Sequence, residues 1–473
     1  MQPPAAPNRP RNHGETSAET VVLIGASIRS AAQSANRAGF RILGIDHFGD
    51  IDTRQACQEF WILNEFLKNP EVIRRFRSFP HFVVGGLNHG DDLAGFLTPP
   101  PTIVHTSPAK EPGSDSAVPL RNPDFDLWDD PHWLEKLSKE CGLNFPNFFY
   151  SLIPDVSPPH TSHKRWLRKM EHSCGGLGVR WHKPSTSFTP ACRDSQSAHD
   201  HPGPLGPKIE ANADSSLVQM KDSTTMRQMF QEWVPGRPHG ATLICNGEDC
   251  CLLGVCRSLF THLSDLPFVY RGSFGPVPIS HSLQERIHQL GLKITRETGH
   301  RGLLNIDLVI NRSGKTFVLE VNPRWSGSSE LIERWMQNRT QIGSLFGAMV
   351  EACNGAPMPD FKPNHGRRST SVGCPWSEGP QYLKRIIFAR QAFQFSQDIL
   401  AFSTEPSNES RFQSAFFDLP ADGTWISAGQ PICTLVSQIP RGTPTNSFGL
   451  DKEKGPMHQH RTFLRRLFES AHS

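Results

Sequence analysis

The apolar positions of this chain change period several times, and each change predicts an element. Val21-Val22-Leu23-Ile24 is a short, mostly β-branched run, the pattern of a buried strand. Gly25-Ala26-Ser27 breaks it, and the small residues from about Ile28 to Ala38 predict a helix that Gly39 ends. Phe40-Arg41-Ile42-Leu43-Gly44-Ile45 predicts a second strand closing on Asp46. Strand, helix and strand in that order predict a parallel sheet. Phe82-Val83-Val84 before Gly85-Gly86 reads as a further strand and its turn. Asp130 to Gly142 predicts a helix, with Asp130 as cap, Pro131 in the first turn and Gly142 as stop. Farther on, strands are expected at Ala241–Cys245, Cys251–Cys256 and Phe317–Val321, and helices at Ser282–Thr298 and Ser328–Cys353.

Where the pattern fails, composition marks the seams. Residues 1–20 are polar and proline-rich and read as a disordered tail, and residues 98–125 read as loop. Residues 184–224 mix Ser, Pro, His, Asp and Asn without period and read as an insertion. The expected division is a tail 1–20, a first domain 21–150, a second domain 151–353 interrupted at 184–224, a β-rich region 354–440 and a basic tail 441–473. A chain of 473 residues is long enough for several such units. The net charge of +3 argues against a nucleic-acid binder working by bulk electrostatics. The 11 cysteines form no Cys-x-x-Cys pair, as expected of reduced thiols. No apolar run approaches the ~18 residues of a membrane span, and the N-terminus has no secretory pattern. A cytoplasmic location is therefore expected, with neither membrane nor nucleic acid as partner.

The densest chemistry lies between Asn305 and Arg324. Asn305-Ile306-Asp307 through Asn311 and Thr316 through Asn322 read as two strands joined by a turn at Arg312–Lys315. Residues two apart on a strand share a face, so Glu320 and Asn322 project together, and a hairpin across Ser313-Gly314 sets Asp307 within a register step of Glu320. Two carboxylates and an amide oxygen would then converge as hard ligands suited to Mg²⁺. The competing reading is a surface hairpin with its acids in solvent. Glu320 sits within the apolar run Phe317–Val321, where a buried unpaired carboxylate would be costly, and this favours the metal reading.

Asp307, Glu320 and Asn322, within Glu-Val-Asn-Pro-Arg, resemble the metal signature of ATP-grasp enzymes. The resemblance implies an α/β (α+β) fold with an N-terminal parallel-sheet domain, a two-lobed nucleotide-binding domain and a small C-terminal β-rich region. It implies that Asp307, Glu320 and Asn322 hold Mg²⁺, with Mn²⁺ as a substitute, and that Arg324 stabilises charge on the transferred phosphoryl group. It implies that Lys169 contacts the ATP phosphates and that Gly175, Gly176 and Gly178 form a phosphate loop, although Met170 replaces the usual proline. Met229 to Gly236 resembles the adenine hinge, with Gln231 or Glu232 as the side-chain reader and Trp233 and Val234 as backbone readers. Pro238-His239 stands where a ribose-binding acid is often found. Gly25-Ala26-Ser27-Ile28-Arg29 resembles the loop lining the acceptor cleft, with Ser27 and Arg29 as candidates. It lacks the Gly-x-Gly-x-x-Gly of NAD-binding domains.

Asp418-Leu419-Pro420, Gly429-Gln430-Pro431 and the Gly-Ala-Ser-x-Arg opening together resemble a subgroup of ATP-dependent carboligases similar to the tyramine–glutamate ligase of methanofuran biosynthesis. The function so implied is ATP-dependent joining of a small-molecule carboxylate to an amine through an acyl-phosphate. Alternatives are a bicarbonate-activating carboxylase-like enzyme and an ATP-binding regulatory protein with decayed catalysis. Relatives of this kind often dimerise, so a homodimer is an expectation.

Overall fold

The computed structural model describes residues 19–86, 128, 130–151, 164–170, 174–182, 228–337, 339–359, 375–396 and 414–441. The expected loop at 98–125, the insertion at 184–224 and nearly all of both tails lie outside the described residues. Strands β1 (Thr20–Ile24), β2 (Arg41–Asp46), β3 (Glu59–Ile62) and β4 (His81–Val83) form a parallel sheet in the order β3-β2-β1-β4. Helix α1 (Arg29–Arg37) crosses between β1 and β2, with Ala31, Ala32 and Ala35 fully buried. These small residues let it lie close to the rest of the core, as the alanine-rich sequence predicts. Short helices α2 (Ile51–Ala56), α3 (Leu63–Phe66) and α4 (Pro70–Phe76) complete the unit.

Helix α5 (Pro131–Glu140) starts as predicted, with the Asp130 carboxylate accepting from the His132 N–H. A small antiparallel sheet follows, ordered β5-β8-β6-β7, from β5 (Phe148–Ser151), β6 (Trp166–Met170), β7 (Val179–Trp181) and β8 (Gln228–Glu232). The main sheet has eight strands in the order β13-β12-β9-β10-β11-β14-β18-β16. They are β9 (Gly236–Asn246), β10 (Cys250–Leu263), β11 (Leu266–Gly275), β12 (Arg301–Asn311), β13 (Thr316–Asn322), β14 (Gln381–Phe388), β16 (Ser414–Phe417) and β18 (Pro431–Ile439). The three strands from the C-terminal region thus extend the sheet that carries the Asp307 hairpin. β15 (Phe393–Gln394) and β17 (Trp425–Ile426) pair separately.

Helix α6 (His281–Thr298) covers one face of this sheet through Leu283, Ile287, Leu290 and Ile294. The other face packs on α7 (Ser329–Gln337), α8 (Leu345–Cys353) and α1 in the largest apolar cluster, which ties the parallel sheet to the main one. A single helix was expected over 328–353, and the structure breaks it in two. Thr340 Oγ1 bonds the Met336 carbonyl and accepts from the Ile342 N–H, ending α7, and Ser344 caps α8 by accepting from the Gly347 N–H at 3.0 Å. Among the described residues the cysteines form no disulfide with one another. Among the described residues no helix is long and apolar enough to cross a membrane.

Candidate active site

The hairpin places its carboxylates as strand alternation requires. Asp307 on β12 stands directly opposite Glu320 on β13, and Asn305 opposite Asn322, with a bulge just beyond Asp307. The Asn322 amide donates to Asp307 Oδ2 at 3.2 Å and to Glu320 Oε1 at 3.3 Å, so all three predicted ligands converge. Arg324 donates to Asn322 Oδ1 at 2.8 Å and closes the group. Burial and the facing Glu320 carboxylate push Asp307 well above the usual carboxylate range. Desolvation also raises Glu320, but Lys169, hydrogen bonds from Asp307 and Asn322, and Arg324 outweigh it and hold that carboxyl below its ordinary value. The pair thus resists a double negative charge unless a cation joins it. One expectation is corrected: Glu320 is not buried, its side chain being 54% exposed. It opens into the space between the sheets while Val318 and Val321 point to the core.

Lys169 near the end of β6 crosses from the small sheet to this group, with Nζ 3.7 Å from Glu320 Oε2. The glycine turn after β6 lies against β11. Tyr270 N–H donates to the Gly175 carbonyl at 2.9 Å, and Met170 N–H to that of Gly178 at 3.1 Å. Gly175 and Gly176 have φ of +64° and +79°. A Cβ at 176 would lie 1.8 Å from the Phe268 carbonyl oxygen, so only glycine permits this approach.

At the hinge, the two candidate side chains differ. Glu232 is committed to Lys164 Nζ, at 2.8 Å, and to Asn147. Gln231 is buried and its Nε2 has no partner. The Trp233 N–H already donates to the Arg165 carbonyl at 2.8 Å, and its ring holds the Arg165 guanidinium jointly with Trp181. Trp233 and Val234 line a cavity of ≈ 250 Å³ together with Lys164, Glu232, Asn311 and Phe317.

This architecture has counterparts among known proteins. The ATP-grasp domain family matches residues 208–328, the span holding β8, five of the main-sheet strands (β9 to β13) and with them the Asp307–Glu320 hairpin. The structure is similar to N5-carboxyaminoimidazole ribonucleotide synthetase in its ADP complex, with a TM-score of 0.54 and 12% identity over 96% of this chain and 98% of that one. It is also similar to the carboxyaminoimidazole ribonucleotide synthase of Aspergillus clavatus complexed with ATP, with a TM-score of 0.54 and 11% identity over 96% of this chain and 98% of that one. The fold is ATP-grasp. In sequence, 126 residues are 30% identical to the arginine-specific carbamoyl phosphate synthase large chain of Bacillus subtilis, 26% of this chain and 12% of that one. The chain therefore spans a small part of that relative's length.

On the ATP-grasp frame, the carboxyl edge of the parallel sheet abuts the end of the Asp307–Glu320 hairpin. Val84 bridges to Trp325, Gly85 N–H donates to the Trp325 carbonyl at 3.2 Å, and Trp325 Nε1 donates to Ser30 Oγ at 3.1 Å. A Cβ at Gly86 would meet Cys174 at 2.5 Å, which sets the glycine turn against the same edge. Ser27 is exposed at this edge. Arg29 is not available as a substrate contact, being 1% exposed and enclosed by acids. It bonds Glu330 through two nitrogens at 2.7 and 2.9 Å and Asp418 at 2.8 and 3.3 Å. Lys384 and Arg334 also reach Glu330, at 2.9 and 3.1 Å. Two residues were missed by the sequence reading. Asn305 orients Asp307 with a 2.9 Å bond to Oδ1, and its position two residues earlier on the same strand face was the available signal. Tyr270 had no comparable local mark.

Proposed function

We propose that the chain is an ATP-dependent carboxylate–amine ligase, forming ADP, phosphate and an amide, within the carboligase subgroup similar to tyramine–glutamate ligase. The observation that carries this is the facing Asp307–Glu320 pair with Lys169 reaching it from the opposite sheet.

Asp307 and Glu320 fit Mg²⁺ by chemistry: hard oxygen donors, and a carboxyl pair that burial and mutual repulsion keep from full ionisation on its own. Asn322 would join them only by turning its amide, since its nitrogen now faces the two carboxylates and its Oδ1 accepts from Arg324. Among the described residues no three His, Cys, Asp or Glu side chains form a metal cluster, so the remaining ligands would come from phosphate and water. The metal, when bound, supplies positive charge against the nucleotide phosphates. Lys169 adds a second charge from the small sheet, and free N–H groups of the Gly175–Gly178 turn would approach the phosphates. Gln231 is the better side-chain reader of adenine, since Glu232 is already paired.

A substrate carboxylate oxygen attacks the γ-phosphorus and ADP leaves. A neutral amine then attacks the acyl carbon, the acyl–phosphate bond breaks, and the amine gives up a proton. Arg324, held by Asn322, is placed to stabilise negative charge in both steps. The test is substrate-dependent ADP release from Glu320→Ala, screened over amino acids and amines with Mg²⁺ present. Release should vanish while the far-ultraviolet circular dichroism is unchanged, and persisting turnover refutes the metal assignment.

A further inference from the structure

The carboxylates Asp46, Asp50, Asp52, Glu330 and Asp418 outnumber the cations Arg29, Lys384 and Arg334 among which they lie. All but one have named donors. Asp46 accepts the N–H groups of Ile28, Phe48 and Gly49 at 3.5, 3.0 and 2.8 Å. Asp52 accepts those of Asp418 and Leu419 at 2.9 and 3.1 Å. Asp418 and Glu330 hold Arg29. Asp50 is only 7% exposed and accepts no hydrogen bond, although it stands at the cap position of α2 where such a bond is usual. Its charged neighbours are Asp418, Asp46 and Asp52, and its cation, Arg29, is bonded elsewhere. A buried carboxyl group without a donor is costly, so this one is built for a partner.

We propose that the acidic cluster at the end of β2 recognises a substrate ammonium group, with Asp50 as its principal acceptor. The proposal rests on the ligase reading and deepens it. Three features support an organic cation. Among the described residues no three acids are placed to hold a metal ion. An ammonium brings three donors, enough for Asp50 and a neighbour. The cluster lies at the carboxyl edge of the parallel sheet, where open α/β sheets bind ligands, and this edge also meets Trp325 and the glycine turn. Burial, with Asp418, Asp46 and Asp52, holds the Asp50 carboxyl up at about 8, so in the ligand-free chain it keeps a proton at neutral pH that an incoming cation would displace.

The same acids would keep that ammonium protonated, and a protonated amine cannot attack an acyl-phosphate. The recognised group is therefore a handle distinct from the nucleophile. It is either the α-ammonium of an amino acid whose carboxylate is activated or the second ammonium of a diamine acceptor.

Binding to the full-length protein, loaded with Mg²⁺ and a non-hydrolysable ATP analogue, separates these. The probes are L-glutamate against glutarate, L-lysine against 6-aminohexanoate, and putrescine against butylamine. The amino compound of at least one pair should bind about tenfold or more tightly than its partner, and Asp50→Asn should erase that preference without changing nucleotide affinity. The pair that discriminates tells the amino acid from the diamine. Equal binding within every pair, or a preference intact in Asp50→Asn, overturns the proposal. The wild-type comparison decides the matter alone if that variant does not fold. Failure to bind the nucleotide itself would count against the ligase reading instead.

Discussion

Replacing Arg29 with methionine should destabilise the fold by about 4 kcal/mol, the range expected when one partner of a buried ion pair is removed. Removal strands its partners unequally. Glu330 keeps Lys384 at 2.9 Å and Arg334 at 3.1 Å. Asp418 loses both of its bonds to the guanidinium, and Asp52 loses a cation 3.8 Å away. Most of the cost therefore arises at Asp418, whose carboxyl desolvation raises and Arg29, the larger of its opposing influences, pulls below the ordinary value. Glu330 behaves alike and lies well below its ordinary value, burial being outweighed by Arg29 and Lys384.

The assay is urea unfolding followed by tryptophan fluorescence, run as a cycle of Arg29→Met, Asp418→Asn and the double variant. The singles should not add. Coupling of roughly 2–3 kcal/mol is expected, because the second change removes a charge the first has already stranded. The folded-state values of Glu330 and Asp418 are depressed, so their contribution is complete above the ordinary carboxylate range and is lost as pH falls through it. The gap between wild type and Arg29→Met should close on acidification below about pH 4. A loss under about 1 kcal/mol for Arg29→Met, or additivity within ~0.5 kcal/mol, would refute the reasoning, since an exposed ion pair behaves that way.

Other outcomes follow from the same geometry. Asn305→Ala removes the bond that orients Asp307 and should raise the Mg²⁺ concentration for half-maximal ADP release about tenfold, with saturating rates less affected; an unchanged metal requirement would dismiss its positioning role. Gly176→Ala places a methyl group against the Phe268 carbonyl, so the glycine turn must leave β11, and ADP formed per amide formed should rise several-fold as water reaches the intermediate; a ratio that stays at one would show that the turn does not exclude water. Burial, foremost among the causes, holds Asp50 up at about 8 and Asp46 at about 6. The folded chain therefore keeps protons that the unfolded chain has lost, and ligand-free stability should fall as pH rises, by up to ~1.4 kcal/mol per unit for each group, with both contributing from about 4 to 6 and Asp50 alone from about 6 to 8. Thermal midpoints should show this slope and Asp50→Asn should flatten it, whereas an unflattened slope would assign it to other groups.

The convergence of Asp307, Glu320 and Asn322 was legible because two short-range rules fix it. Strand alternation puts Glu320 and Asn322 on one face, and the turn around Asn311, whose side chain accepts from Ser313 and Lys315, sets the register that brings Asp307 opposite. Glu320's surroundings were misjudged because Phe317–Val321 is apolar by composition yet only half buried by position: the bulge beyond Asp307 re-aims the strand, so Val318 and Val321 face the core and Glu320 the cleft. The division of 328–353 was readable in principle from Gly343-Ser344, a stop followed by a cap.

Arg29 is a harder case, because its partners lie 301 and 389 residues away and no local period points to them. Its own position carried a hint all the same. It is the first residue of α1, where the helix dipole disfavours a cation, and the first turn holds no acid to offset it. A positive side chain in that place on a helix rich in buried alanine needs carboxylates from elsewhere in the chain. Their source then identifies which segments must meet: Glu330 from just beyond the metal hairpin and Asp418 from the C-terminal strands. The ion network therefore fixes the parallel sheet against the main sheet, the arrangement that the proposed ammonium site and the candidate metal ligands need in order to serve one substrate.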